Sequence, residues 1–292
     1  MGTYRRINVA SGRPLESLAH YSRAVRAGEM VLQSGTTAID RQGSVRGEGD
    51  MTRQVDAIMR IAEWSMGKAG GRLEDIVRSR IYVTDIALAD QGARALARYL
   101  RDVRPVSTLV QVNRLARPTQ LVEIEFDAVD GARTQAHRVS SGRSIEETYA
   151  YSRAIRVGDR IFISGSTALN AQGVVEGPGD MYRQTRRTME TVFWALEQAG
   201  GTPGDLVYTK TFLTDLSKTA EYTRAWVEAL VTSGPPPPCS VSRPSCIRRC
   251  WSRSKPRPSS EPPPRDGTSI RDTNARSRAA MPAPSRWATA CS

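Results

Sequence analysis

Cysteine is missing from the first 238 residues of this 292-residue chain, and histidine occurs only twice, at His20 and His137. A thiol nucleophile and a histidine-rich metal centre are therefore excluded from that part of the protein. A serine hydrolase would need a histidine base and an acid to orient it, and the two histidines do not occupy equivalent places in the repeat described below. No run of 18 apolar residues is present to span a membrane, and MGTYRRINVASGRP contains no apolar stretch of signal-peptide length. Gly2 is followed at position 6 by Arg, where a myristoylation site needs Ser or Thr. The expectation is a cytoplasmic protein with no membrane partner.

What is present is unevenly spread. From Ser242 onward there are eleven Lys/Arg and three Asp/Glu, which accounts for +8 of the net charge of +12. All four cysteines (Cys239, Cys246, Cys250, Cys291) and eight of the seventeen prolines also lie from position 239 onward. The body is nearly balanced in charge, so the overall basicity does not by itself identify an anionic partner.

Self-comparison at an offset of 130 residues aligns VASGRPLESLAHYSRAVRAG (9–28) with VSSGRSIEETYAYSRAIRVG (139–158) without a gap. The register continues through LQSGTTAIDRQG against FISGSTALNAQG, GEGDMTRQ against GPGDMYRQ, and IYVTD (81–85) against TFLTD (211–215). The chain is a tandem duplication. Each unit opens with an alternating strand at HYSRAVRAG, a glycine turn and a second strand at MVLQSG, which predicts a hairpin. Asp50 stands at a helix N-cap, and Val55, Ile58, Met59, Ala62 and Met66 recur at helical spacing until AGG ends the helix. The second copy repeats this with Asp180, Met189, Val192 and Leu196. A strand (IVRSRIYVTD), a helix (LADQGARALARYLRDV) and two closing strands (STLVQVN, QLVEIEFDAV) complete the first unit. The predicted class is α+β, two ββαβαββ units with helices on one face of a sheet.

These residues resemble the reactive-intermediate deaminase family (RidA, also called YjgF). The markers are Tyr21-Ser-Arg-Ala, Ser34-Gly35, VTD at Val83 to Asp85, RPVST at Arg104 to Thr108, and LVEIE at Leu121 to Glu125. The resemblance implies a chorismate-mutase-like fold and domains at 1–132 and 133–241, the second without its last strand. It also implies trimer-like self-association with pockets between units, and cofactor-independent hydrolysis or deamination of a small imine or enamine substrate. Two alternatives stay open: a noncatalytic small-ligand-binding or chaperone-like homologue, and, with no His pair or Lys constellation to support it, an endoribonuclease. No cofactor, no metal and no specific nucleic-acid partner are expected.

Where the second copy should close with a strand like RPTQLVEIEFDA, the chain reads CIRRCWSRSKPRP (246–258). Taking each codon's last base with the next codon's first two, with permitted codons, the neighbouring frame spells HPEMLVEIEAEA. The reading adopted is a single-base frameshift between about Pro238 and Cys246, leaving 242–292 as a disordered Pro/Ser/Arg-rich tail too poor in aliphatic residues to bury a core. A zinc site at Cys246 and Cys250 would lack further ligands nearby, and a basic nucleic-acid tail would have the same composition.

In the resembling family a glutamate on the last strand positions water and an arginine in a Pro-x-Arg context holds the substrate's carboxylate. The glutamate carries over to Glu123. The arginine does not: Ser107 stands in its place, and a hydroxyl cannot supply a bidentate charge-assisted pair. Tyr21 and Arg23 share one strand face, repeated as Tyr151 and Arg153. Arg23 is either a substitute cation for an anionic ligand or a solvated edge-strand arginine. Ser34 and Ser164 are either pocket residues, as the resemblance implies, or turn residues. Glu123 and Glu125 also share a face, as an acid/base pair or as partners of cations across the sheet. With the last strand of the second copy missing, only the first site is expected to be complete.

Overall fold

The structure, a computed structural model, describes residues 5–233. In the first repeat β1 (Arg6–Val9) and a short α1 (Pro14–Leu18) precede β2 (Ala24–Ala27) and β3 (Met30–Thr37). Then follow α2 (Met51–Lys68), β4 (Ile76–Val83), α3 (Ala89–Leu100), β5 (Val106–Gln111) and β6 (Val122–Val129). The predicted ββαβαββ order is the β2-to-β6 part of this unit. The class is α+β, as expected. β1 and α1 are additions that the repeat pattern did not mark as regular structure.

The sheet order is β1-β2-β3-β6-β4-β5. The last strand of the unit is thus an inner strand, antiparallel to both β3 and β4, while β4 and β5 run parallel with α3 as their crossover. The side of β6 that carries Val122, Ile124, Phe126 and Ala128 packs with α2 and α3 into one core, shared with Val55, Ile58, Met59, Ala62 and Met66. The helix starts where the N-cap was read: Asp50 accepts the amide of Arg53 at 3.0 Å, and Asp180 that of Arg183 at 2.9 Å. The opposite face of β6 carries Glu123, Glu125 and Asp127. Of these, Glu125 and Asp127 pair with Arg80 at 3.0 and 2.8 Å.

A short α4 (Ala132–Gln135) leads into the second repeat: β7 (His137–Val139), α5 (Ser144–Thr148), β8 (Ala154–Val157), β9 (Arg160–Ile163), α6 (Met181–Gln198) and α7 (Thr219–Ser233). β7, β8 and β9 form a three-stranded antiparallel sheet. The strand expected from the match of TFLTD to IYVTD is not formed: 206–213 is irregular. The reason lies in the strand order. In the first repeat β4 is tied to the hairpin only through β6, and among the described residues the second repeat has no counterpart of β6. Its interior is accordingly divided into two clusters, one around Ala154, Ala195 and Ala199 and the other around Met189, Phe193 and Ala229. The expectations for 242–292, including the disordered tail, lie outside the described residues.

The repeats meet along β5. Ser152 N–H donates to Pro105 O at 3.1 Å and Gly165 N–H to Ser107 O at 3.0 Å, while Ser164 Oγ accepts the Ser107 amide at 2.9 Å. Behind this seam Val77, Val106 and Val129 pack against Ile155, Val157 and Phe162. An edge strand that would otherwise offer free backbone groups is thereby covered within the chain.

Candidate functional site

Both repeats build the same local frame. His20 and Ala150, neither a glycine, sit at φ 51° and turn the chain so that Tyr21 and Tyr151 enter the hairpin. A left-handed conformation costs an L-residue on the order of 1–2 kcal/mol, so the surrounding bonds must hold it. They do so in duplicate. Tyr21 N–H donates to Glu16 O and Tyr151 N–H to Glu146 O, and the amides of Arg23 and Arg153 donate to Val9 O and Val139 O.

Arg23 is only 4% exposed, and its guanidinium is shared among internal acceptors. Nε bonds Glu16 Oε1 at 3.1 Å, Nη1 bonds Gly35 O at 3.2 Å, and Nη2 bonds the Tyr21 hydroxyl at 2.8 Å. Glu16 also accepts the Ser11 amide at 2.6 Å. Burial works against its charge, but the Ser11 bonds and Arg23 hold its carboxyl below the ordinary range. Arg153 repeats the pattern with Gly165 O at 3.2 Å, the Tyr151 hydroxyl at 3.0 Å and Glu146 at 3.6 Å. The arginine on this strand is thus buried and ion-paired rather than solvated, and it fixes the tyrosine beside it.

Glu123 projects from β6 against Gly35. A Cβ added at Gly35 would lie 1.9 Å from Glu123 Oε1, so the absence of a side chain there is what admits the carboxyl. Among the described residues Glu123 has no ion-pair partner, in contrast to Glu125 two residues on. Burial first, and the charge of Glu125 second, push its carboxyl above the ordinary range, with Arg23 partly opposing. Ser34, adjacent to Gly35, donates through Oγ to Ser22 O at 2.6 Å. Tyr21, Arg23, Ser34 and Glu123 therefore form one group within the first repeat.

The other four residues lie elsewhere. Ser107, Tyr151 and Gly165 line a cavity of about 260 Å³ at the seam, with Ile81, Leu96 and Leu109 on one side and Ile145 and Tyr149 on the other. Ser164 anchors that seam through the Ser107 amide, and Arg153 stands behind Tyr151. Among the described residues no Arg or Lys belongs to the cavity wall, and its one carboxylate, Asp90, accepts from Tyr149 at 2.8 Å and pairs with Arg94 at 2.9 Å. Burial raises the hydroxyl of Tyr151 above its ordinary value. The eight residues named from sequence thus separate into an acid-bearing group in the first repeat and a set at the seam, of which Ser107 and Tyr151 line the cavity while Arg153 and Ser164 stand beside it. Glu16 and Glu146, which hold the arginines, were not among them. Their signal was the SG-R-x-x-E spacing kept in both copies, SGRPLE and SGRSIE.

A sequence model of the family described as Endoribonuclease L-PSP matches residues 12–130 and again 142–244. The chain belongs to this family, the one also called RidA or YjgF, and carries it in tandem. An uncharacterised protein of Streptomyces coelicolor is 33% identical over 124 residues, 42% of this chain and 92% of that protein. The 3-aminoacrylate deaminase RutC of Acinetobacter baylyi is 31% identical over 107 residues, 37% of this chain and 84% of the relative. A crystal structure of a YjgF/YER057c/UK114 family member from Mycobacterium tuberculosis is 41% identical, covering 43% of this chain and 99% of its own, with a TM-score of 0.40.

Proposed function

We propose that the chain is a Rid-type hydrolase that converts a small reactive imine or enamine to a carbonyl compound and ammonia without a cofactor, using Glu123 as the base. The observation that carries this reading is the half-buried carboxyl of Glu123, unpaired, pressed against Gly35 and shifted toward neutral pH. A base with a raised value is matched to work near neutrality, because it is ionised there yet still accepts a proton readily. In the proposed step Glu123 takes a proton from water as the oxygen attacks the C=N carbon. Glu123 passes that proton to the nitrogen to give the carbinolamine. The carbinolamine's hydroxyl proton then moves by way of Glu123 to the nitrogen as the C–N bond breaks, C=O forms and ammonia leaves; an enamine first tautomerises to the imine by protonation at carbon. The Tyr21 hydroxyl, which accepts from Arg23, is free to donate to the substrate.

The relative from Acinetobacter baylyi is named for an enamine, 3-aminoacrylate, that bears a carboxylate. In this chain Arg23 is committed to Glu16 and Ser107 has replaced the family arginine, so uncharged imines are favoured over imino acids. A second, noncatalytic reading has its own support in the seam cavity, whose lining does not include Glu123. There Tyr151 and Ser107 would hold a neutral ligand without turning it over.

Ammonia release from a panel of imines, charged and uncharged, separates the two. The parent chain is expected to turn over an uncharged imine, and Glu123→Gln to lose about 10²–10⁴-fold. The rate of the parent rises with pH through a limb above the ordinary carboxylate range, and the variant lacks that limb. Equal turnover by parent and variant discards Glu123 as the base. Saturable ligand binding with no ammonia from any imine supports the noncatalytic reading.

A further inference from the structure

The two repeats differ most at the place β6 occupies. In the first repeat β6 lies between β3 and β4, buries Ile124 and Phe126 against the helices, and presents Glu125 and Asp127 to Arg80. In the second repeat the flanking elements are all there: β9, the counterpart of β3; 206–213, the counterpart of β4; and α6 packed on α7. Among the described residues nothing pairs with the outer edge of β9. Val77 of β4 is 0% exposed, while its counterpart Val207 is 97% exposed, and Tyr208 beside it is 67% exposed. Lys210 takes the place of Arg80 and has no carboxylate partner among the described residues; its ammonium lies 5.3 Å from the Phe212 ring instead.

We infer that the second repeat holds a strand-binding position between β9 and 206–213, whose occupant is an extended segment of the β6 type, with apolar residues alternating with carboxylates. Three observations select this occupant. The counterpart position in the same molecule is filled by VEIEFDAV in antiparallel register to both neighbours. The apolar side chains of such a segment would join the two separate clusters around Ala195 and Phe193 into one, as β6 does in the first repeat. Its carboxylates would meet Lys210 as Glu125 and Asp127 meet Arg80. Backbone pairing supplies the affinity in this mode of recognition and the alternating pockets supply the selection. With codons chosen among those the residues permit, the neighbouring frame of 246–258 can spell a segment of this pattern, HPEMLVEIEAEA, at the repeat offset of 130 from RPTQLVEIEFDA. The second family match, moreover, stops at 244, whereas the first runs to 130, just past the end of β6.

The test titrates the synthetic peptide HPEMLVEIEAEA into the full chain and follows amide hydrogen exchange. Saturable binding that slows exchange of 160–163 and 206–213 at least about tenfold is expected, with no change from HPEMLVEPEAEA, in which proline removes the central donor. A second arm restores the frame, so that the chain itself continues through HPEMLVEIEAEA. Protection of 206–213 and a higher unfolding midpoint are then expected. The inference fails if neither peptide slows exchange in those segments, if both do so equally, or if 206–213 stays unprotected in the restored chain.

Discussion

Among the described residues the first repeat has one continuous core and the second has two small ones, although their sequences run in register from the opening loop to the second helix. Among the described residues the difference is a single strand, one that sits inside the first sheet rather than at its edge. Losing an edge strand would remove one ladder. Without β6 the sheet loses two ladders and the helices lose the floor they share. Fully burying each of Val122, Ile124 and Phe126 is worth roughly 1.5–3 kcal/mol, a large share of the 5–15 kcal/mol that holds a typical domain together.

The comparison breaks most directly at Phe126. Phe126→Ala should cost about 3–5 kcal/mol in chemical denaturation, and Phe193→Ala in the second repeat roughly half as much or less, because its cluster is small and already incomplete. Equal costs would mean that the second repeat has a core as continuous as the first. Next in size is the duplicated ion pair. Glu16→Gln and Glu146→Gln should each destabilise by roughly 2–3 kcal/mol at neutral pH, since each leaves a buried arginine short of its partner. For Glu16, whose folded carboxyl lies below the ordinary range, the stabilisation is present above the unfolded value and disappears as pH falls through the folded one. The gap between parent and Glu16→Gln should therefore close on acidification.

The two glycines sharpen the comparison with the smallest effects on stability. Gly35→Ala displaces the tip of a flexible side chain, Glu123, and should lower turnover about 10²-fold while leaving the unfolding midpoint within about 2 °C. A Cβ at Gly165 instead meets Thr108 across the seam at 3.0 Å, so Gly165→Ala should cost about 1–2 kcal/mol and leave turnover by the Glu123 group unchanged. Turnover assays beside thermal melts read both outcomes, and an activity loss confined to Gly165→Ala would move the chemistry to the cavity.

Much of this was legible in the sequence where the signal is local. The caps at Asp50 and Asp180, the helical spacing of Val55 to Met66 and the strand alternation around Val25 each depend on neighbours within a few residues. Pairing order does not. That β6 would insert between β3 and β4, and so determine whether 206–213 forms a strand, depends on contacts across the whole unit. The division of the site residues was hidden for the same reason. Ser107 belongs to the seam because β5 is covered by the other repeat, and Arg23 is turned inward because Glu16 lies on a short helix that no periodicity announces.

The inner place of β6 also governs the order of events during synthesis. The strand made last is the one on which both neighbours depend, so β3 and β4 leave the ribosome with open edges and wait for a segment some forty residues behind the end of β4. A unit of this design cannot finish its sheet until its final residues have emerged. For the first repeat that moment comes when β6 has emerged, with the second repeat still to be made, and a unit that stops short of this strand keeps two open sheet edges.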